Sequence, residues 1–419
     1  MDKKILSFFA LLMLGIITFT SCSAGRQTNN NGVVTVTLSG WSNLNEKQLL
    51  QQVLKDFEAK NPNIKVKYDA IADQYMDVLK IRLIGDTAAD VFYLDALEAP
   101  ALMNTGVLEP LDSYITPEFD IADFEPPLLN AFQQNGLTYG LPKDFSTLAL
   151  FYNKKAWLAA SLSDPPKSWE ELREYSQKLT IDRGDGKIEQ YGFGVVPELA
   201  RQYFMIKAFG GELIDSDEKA TFASEESLKG LQVVIDQYRN DKSAAQPSDV
   251  GTTSGSEIFG QSLAAMVIEG PWLISYLQQT FPNVEYATDE VPTVNGKKGT
   301  MAYTVAYVMN KQSKHKPEAW RLISYLTGKE GMKTWTSSGF TLPTRKSVAA
   351  ALGYNKNPLY APFIAGASYA TIWQAGENLP IILNNFNNQF ISAMLGEQSL
   401  SAAMTKAQET ANKEIRLAE

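Results

Sequence analysis

Val34-Thr-Val-Thr-Leu-Ser-Gly-Trp41, Ile64-Lys-Val-Lys-Tyr68 and Ala89-Asp-Val-Phe-Tyr-Leu-Asp95 decide the fold class. In the first stretch Val34, Val36 and Leu38 alternate with Thr35, Thr37 and Ser39, the two-residue period of a strand. Ile64, Val66 and Tyr68 repeat that period, and the third stretch is apolar on both faces, as in a strand covered from both sides. Between the first two, Leu49, Leu50, Val53, Leu54 and Phe57 recur at helical spacing. Asn45 stands three residues before Gln48, which predicts an N-cap with its box partner. Asn61-Pro62 ends that helix, because a residue before proline is pushed out of the helical region. Asp73 is the expected cap of a second helix carrying Val78, Leu79, Ile81 and Leu83. Strands alternating with amphipathic helices predict a β-α-β-α-β unit with a parallel sheet. In such sheets ligands sit beyond the carboxyl ends of the strands. Trp41 and Asp95 stand at two of those ends.

Further along, Tyr139-Gly-Leu-Pro142 marks a turn and the expected first crossing between lobes, since 419 residues exceed one ordinary core. Leu148 to Tyr152 is another strand, and Ser168-Trp-Glu-Glu171 is a capping box opening a helix through Leu179. The acidic residues of Asp182-Arg-Gly-Asp-Gly-Lys187 fall out of calcium-loop register, so this reads as a tight turn. Ser224 opens a helix through Tyr238, Leu263 to Ile268 is a strand ending in Glu269-Gly-Pro-Trp272, and Thr304 to Asn310 is a further strand. From Lys316 onward the pattern is mostly helical.

Composition narrows the function. The chain is 44% hydrophobic and 20% charged, with a net charge of −9. That balance, with no basic stripe among the aromatics, argues against a nucleic-acid partner. One Cys and one His allow neither a disulfide framework nor a Cys/His metal site, and no cofactor is implied. A Ser-His-Asp triad would need His315, which reads as part of a solvated loop before a helix.

Lys3 and Lys4 followed by an apolar run from Ile5 to Phe19 read as a secretory leader, too short for a bilayer span. Phe19-Thr-Ser-Cys22 resembles the lipobox of bacterial lipoproteins, which implies a diacylglycerol on Cys22 and cleavage just before it. Residues 1–21 are then the leader, and 22–32, small and polar, a lipidated flexible tether.

Seven motifs in one order carry a wider resemblance. They are Trp41, Asp90-Val-Phe-Tyr-Leu-Asp95, Tyr139-Gly-Leu-Pro142, Ala149-Leu-Phe-Tyr-Asn153, Pro166-Lys-Ser-Trp169, Ala264-Ala-Met266 with Gly270-Pro-Trp272, and Leu342-Pro-Thr-Arg345. In this order they resemble the family 1 solute-binding proteins of ABC importers, which include maltose- and trehalose-binding proteins, over roughly residues 33–419. The resemblance implies a two-lobe α/β fold of the periplasmic-binding-protein type (class II). Each lobe is a mainly parallel sheet flanked by helices, with a hinge between them. Residues 33–142 plus 300–345 would form the first lobe, and 143–299 plus 346–419 the second. It implies a monomer, held outside the cytoplasm on a lipid anchor in the periplasm or on the outer face of the membrane, that hands a sugar to membrane permease subunits.

Pyranose rings offer flat C–H faces to aromatic side chains, and their hydroxyls need directional partners once water leaves. Trp272 is the expected stacking platform, since the family places an aromatic after Gly-Pro there. Trp41 faces the expected cleft from a strand end, and Trp373 lies in a turn-rich run. Asp95, and Asp144 with Ser146 after the YGLP crossing, stand where the family places polar contacts. Arg345 reads as a ligand contact or an inter-lobe ion pair. Asn43 and Asn45 could reach a hydroxyl, and Tyr303 precedes a strand. Trp157, Trp169, Trp320 and Trp335 fall on helical faces and read as packing. The rival readings are a glycoside hydrolase using Asp95 and Asp144, a structural or adhesive lipoprotein, and a binder of a polyol, polyamine, peptide or glycerol phosphate.

Overall fold

A computed structural model describes residues 32–418 apart from Asn43, Asp185 and Gly186. The leader, Cys22, nearly all of the tether, Asn43, the side chain of Asn45 and part of the Asp182–Lys187 turn therefore lie outside the described residues.

The alternating runs do form strands, and they assemble into two six-stranded sheets. In the first sheet Val34–Gly40 pairs in parallel with Ile64–Ala70 on one side and Val91–Asp95 on the other. The helices Leu44–Lys60 and Tyr75–Ile84 make the crossovers. Met301–Met309 then runs antiparallel to Val91–Asp95, with Val305 opposite Asp95, and Gly140–Thr147 runs antiparallel to Met301–Met309 on its other side. The second sheet holds Ile188–Gly194 and Ala264–Glu269 in parallel, and Ala149–Asn153 antiparallel to Ala264–Glu269. Each sheet is thus parallel around its crossover units and antiparallel where a strand arrives from the other lobe, because that strand enters from the opposite end.

The expected crossing at Pro142 falls inside a strand. Gly140–Thr147 belongs entirely to the first sheet, and the chain passes over at Leu148 into Ala149–Asn153. Proline is tolerated because this strand has a single sheet neighbour and the register shifts beside Pro142, leaving Lys143 as a bulge residue. The chain returns between Asp289 and Met301, and crosses again after the short strand Thr371–Ile372, which pairs with Met301 and Ala302. Helix Lys346–Leu352, expected in the second lobe, packs Val348 against Phe124 and Met332 instead. Asp73 does not cap the second helix. That position is Gln74, in a left-handed conformation without a side-chain cap. Asn45 lies inside the first helix, which begins at Leu44. Ser168 and Ser224 cap their helices as expected, accepting from the backbone N–H of Glu171 and Ser227.

Each lobe has its own core, one around Phe57, Leu94 and Val308, the other around Leu172, Phe222 and Phe386. A third cluster joins them at the crossings: Phe145 and Ala302 of the first sheet pack with Phe151 and Val267 of the second and with Phe363. Residues that follow the carboxyl ends of Val34–Gly40 and of Ala264–Glu269 line one shared gap. Among the described residues no helix is long and apolar enough to cross a membrane.

Candidate ligand-binding cleft

Strand register brings the polar candidates together. Asp95 ends its strand opposite Val305; two residues before Val305, on Met301–Met309, Tyr303 stands opposite Ser146. Just past the crossing, Ala149 pairs with Glu269, the last residue of its own strand. Trp41 follows directly on Val34–Gly40, and its ring meets Tyr75 and Tyr93 edge-on at 4.9 Å and 5.3 Å.

Asp95 has one oxygen engaged by the protein and one open. Its Oδ1 accepts from the backbone N–H of Leu97 at 2.9 Å, and Oδ2 has no hydrogen-bond partner among the described residues. The residue keeps partial exposure at its rim, yet protein crowds its carboxyl. Burial, which outweighs the Leu97 N–H and is helped slightly by Glu98 and Asp144, pushes its pKa up to about 6.

Asp144 is committed to the protein. It is only 5% exposed, is paired with Lys143 and accepts from Trp335 Nε1 at 2.6 Å. The bulge explains the pairing, because adjacent residues there do not alternate faces. The Lys143 ammonium also lies over the rings of Tyr93 and Trp335, at 4.8 Å and 4.2 Å. Asp144 therefore anchors the wall behind Asp95. Lys143 went unread in the sequence and Trp335 was read only as packing, although a lysine directly after the proline of the YGLP run is a visible anomaly.

On the second lobe Trp272 begins the helix Trp272–Thr280. Its ring meets Tyr303 at 6.3 Å, and its Nε1 donates to Glu269 at 2.9 Å. Glu269 also accepts from Arg201 Nη2 at 3.0 Å. Burial outweighs the nearby Arg201 to push the Tyr303 phenol up to about 12, so it stays a neutral donor. Arg201 and Glu269 are further residues the sequence reading passed over. A lone acid closing the apolar run Ala264–Ile268 was the available signal.

A cavity of about 600 Å³ opens between the lobes. Glu46 and Leu49 of the first helix, with Ser338 and Phe340, form the wall on the first lobe. Ser254, Glu257, Trp272, Tyr276 and Gln279 form the opposite wall. Among the expected ligand residues Trp272 lines it. Asp95, Tyr303 and Ser146 are not among the cavity's lining residues; Tyr303 meets the edge of Trp272 and stands opposite Ser146.

Two expected residues are placed elsewhere. Arg345 is 1% exposed and spends its donors inside the protein, on the carbonyls of Thr327 (2.6 Å), Asp120 (2.8 Å) and Phe119 (2.9 Å). Its guanidinium lies against the rings of Phe119 and Phe124, at 4.6 Å and 4.2 Å, with Asp123 at 3.5 Å. It clamps the first lobe and bridges nothing to the second. Trp373 is 6% exposed, packed on Tyr203 in the second core, with its backbone N–H bonded to Ala302.

Two α/β lobes joined by chain crossings, with a polar and aromatic gap between them, form the architecture of a solute-binding protein. Residues 41–333 match the family described as bacterial extracellular solute-binding protein, and the chain belongs to it. It is 27% identical over 387 residues to a protein of Brucella abortus (strain 2308) described as a binding protein, covering 88% of this chain and 91% of that one. It is 25% identical over 303 residues to the maltotriose-binding protein of Pyrococcus abyssi, covering 68% of this chain and 61% of the relative. Among solved structures, the sugar-binding protein MalE of Xanthomonas citri superposes with a TM-score of 0.82 at 22% identity, over 91% of this chain and 97% of that one. A Thermotoga lettingae solute-binding protein bound to α-D-tagatose gives 0.75 at 25% identity, over 90% and 99%.

Proposed function

We propose that this chain is the sugar-capturing component of an ABC importer, taking a mono- or oligosaccharide into the inter-lobe cleft and presenting it to membrane permease subunits. The observation that carries the reading is the cavity of about 600 Å³ between the lobes, with the rings of Trp272 and Tyr276 on one wall among serine hydroxyls, an amide and carboxylates. Aromatic faces cover the C–H surface of a pyranose, and the polar groups replace water around its hydroxyls. The open oxygen of Asp95 and the neutral phenol of Tyr303 extend this surface toward the crossing. Relatives named for maltotriose and galactooligosaccharides, and a neighbour holding tagatose, support a carbohydrate ligand.

A hydrolase would need a second free carboxylate across the bond from Asp95. Asp144 is tied to Lys143 and Trp335, which favours carriage over cleavage. The test is a thermal-shift screen of the mature protein against mono- and oligosaccharides, with the sugar recovered afterwards. A ligand at about 100 times its Kd adds ~2.7 kcal/mol of stability and comes back unchanged. No shift across the panel, or a cleaved sugar, refutes the reading.

The lipobox-like run before Cys22 supports a membrane tether outside the cytoplasm. The variant C22S is expected to leave the membrane fraction on cell fractionation; retention there would count against lipidation.

A further inference from the structure

Glu269 is 1% exposed at the end of an apolar strand, where a carboxylate is costly without partners. Its partners are specific. Oε2 accepts from Trp272 Nε1 at 2.9 Å and from Arg201 Nη2 at 3.0 Å. Arg201, from helix Leu199–Ala208, also donates through Nη1 to the carbonyl of Ile268 at 2.8 Å, so its guanidinium clasps the strand end. On its other side the carboxylate abuts Gly255, where a Cβ would fall 2.2 Å from Oε1. Ser254 and Ser256, flanking that glycine, line the inter-lobe cavity. The indole is confined as closely. A Cβ on Gly270 would lie 2.1 Å from Trp272 Cζ3, so the ring rests on bare backbone, and Tyr303 meets its edge. The indole N–H is thereby turned into the protein, while Trp272 still lines the cavity.

We propose that Glu269, backed by Arg201, is a positioning residue that holds the indole of Trp272 in its ligand-ready orientation before any ligand arrives. The inference rests on reading Trp272 as the stacking platform and adds how that platform is set. The ligand meets the ring surface of Trp272 and not its N–H donor. Locking a large side chain in advance removes an ordering cost from the binding step, so the pair acts through affinity without touching the ligand.

The experiment uses the full mature chain with ¹⁵N-labelled tryptophan, the variant W272F assigning the Trp272 indole signal. In the unliganded wild type that N–H is expected to exchange slowly with solvent; fast exchange overturns the proposal outright. Removing Glu269 alone would take the buried carboxylate from a largely covered Arg201, so two double variants carry the comparison. E269Q with R201M keeps an acceptor for the indole, and is expected to retain slow exchange and affinity for the best sugar of the screen within about threefold. E269L with R201M keeps the volume but no acceptor, and is expected to show fast exchange and to lose about tenfold or more in affinity. Equal exchange and equal affinity in the two variants overturn the proposal. If W272A, which removes the ring, binds as the wild type does, the stacking reading fails, while the exchange rates still report whether Glu269 holds the indole.

Discussion

Asp95 and Arg345 resemble each other in sequence, each a charged residue near an apolar stretch, and the structure separates them by what their polar atoms touch. Arg345 has three carbonyl partners and two aromatic faces within one lobe. The variant R345M strands those carbonyls and is expected to cost ~3 kcal/mol or more in urea unfolding. Sugar affinity is expected to stay within about twofold, since distant sites act independently. Asp95 behaves oppositely. An unfolded Asp95 titrates near 3.8, and the folded one near about 6. The folded state therefore holds the proton more tightly. This contribution to stability is full below the unfolded value and is lost as pH rises through the folded one. D95N escapes that loss, so it is expected to be the more stable protein at pH 7 by roughly 1–3 kcal/mol and equal to wild type below about pH 4. It is also expected to bind sugar more weakly, having lost the open carboxylate oxygen. Unfolding curves across that pH range, with calorimetry at neutral pH, check both signs.

At the scale of elements, the strand Gly140–Thr147 shows how a proline-containing turn motif becomes a sheet edge. Tyr139-Gly-Leu-Pro142 reads as a turn because proline lacks the N–H that a central strand needs. Pairing on a single side removes that need, and no local pattern reveals which strand will have only one partner. Close contacts between elements are hidden in the same way. Gly192, in the strand Ile188–Gly194, lies so near helix Trp169–Leu179 that a Cβ would fall 1.9 Å from the carbonyl oxygen of Ser176. G192A forces helix and sheet apart and is expected to cost about 1–3 kcal/mol, or more, in thermal unfolding, with ligand affinity retained because the cleft lies elsewhere. Helix starts were easier to read. Ser168 and Ser224 satisfy backbone donors within their own first turn, so their chemistry is local.

For the whole molecule, each lobe has its own core and a third cluster joins them at the crossings, so rotation of one lobe against the other about Leu148 and its neighbouring crossings is the expected motion. Saturating sugar is expected to compact the protein in X-ray scattering, because a ligand that contacts both walls favours the state in which both reach it. An unchanged scattering curve would remove closure from the proposed function. The sequence alone determined the alternation of strands and helices, the presence of two lobes, the family and the place of Trp272 at a strand-to-helix turn. Those rest on periodicity, proline and glycine chemistry and motif order, all read over a few residues at a time. Only the tertiary structure decided that Asp144 serves Lys143 and Trp335, that Arg345 clamps one lobe, that Trp373 is core and that Glu269 with Arg201 stands behind Trp272. The physical reason is that the role of a polar side chain depends on which groups fill its hydrogen-bonding capacity, and here those partners come from segments far apart in the chain.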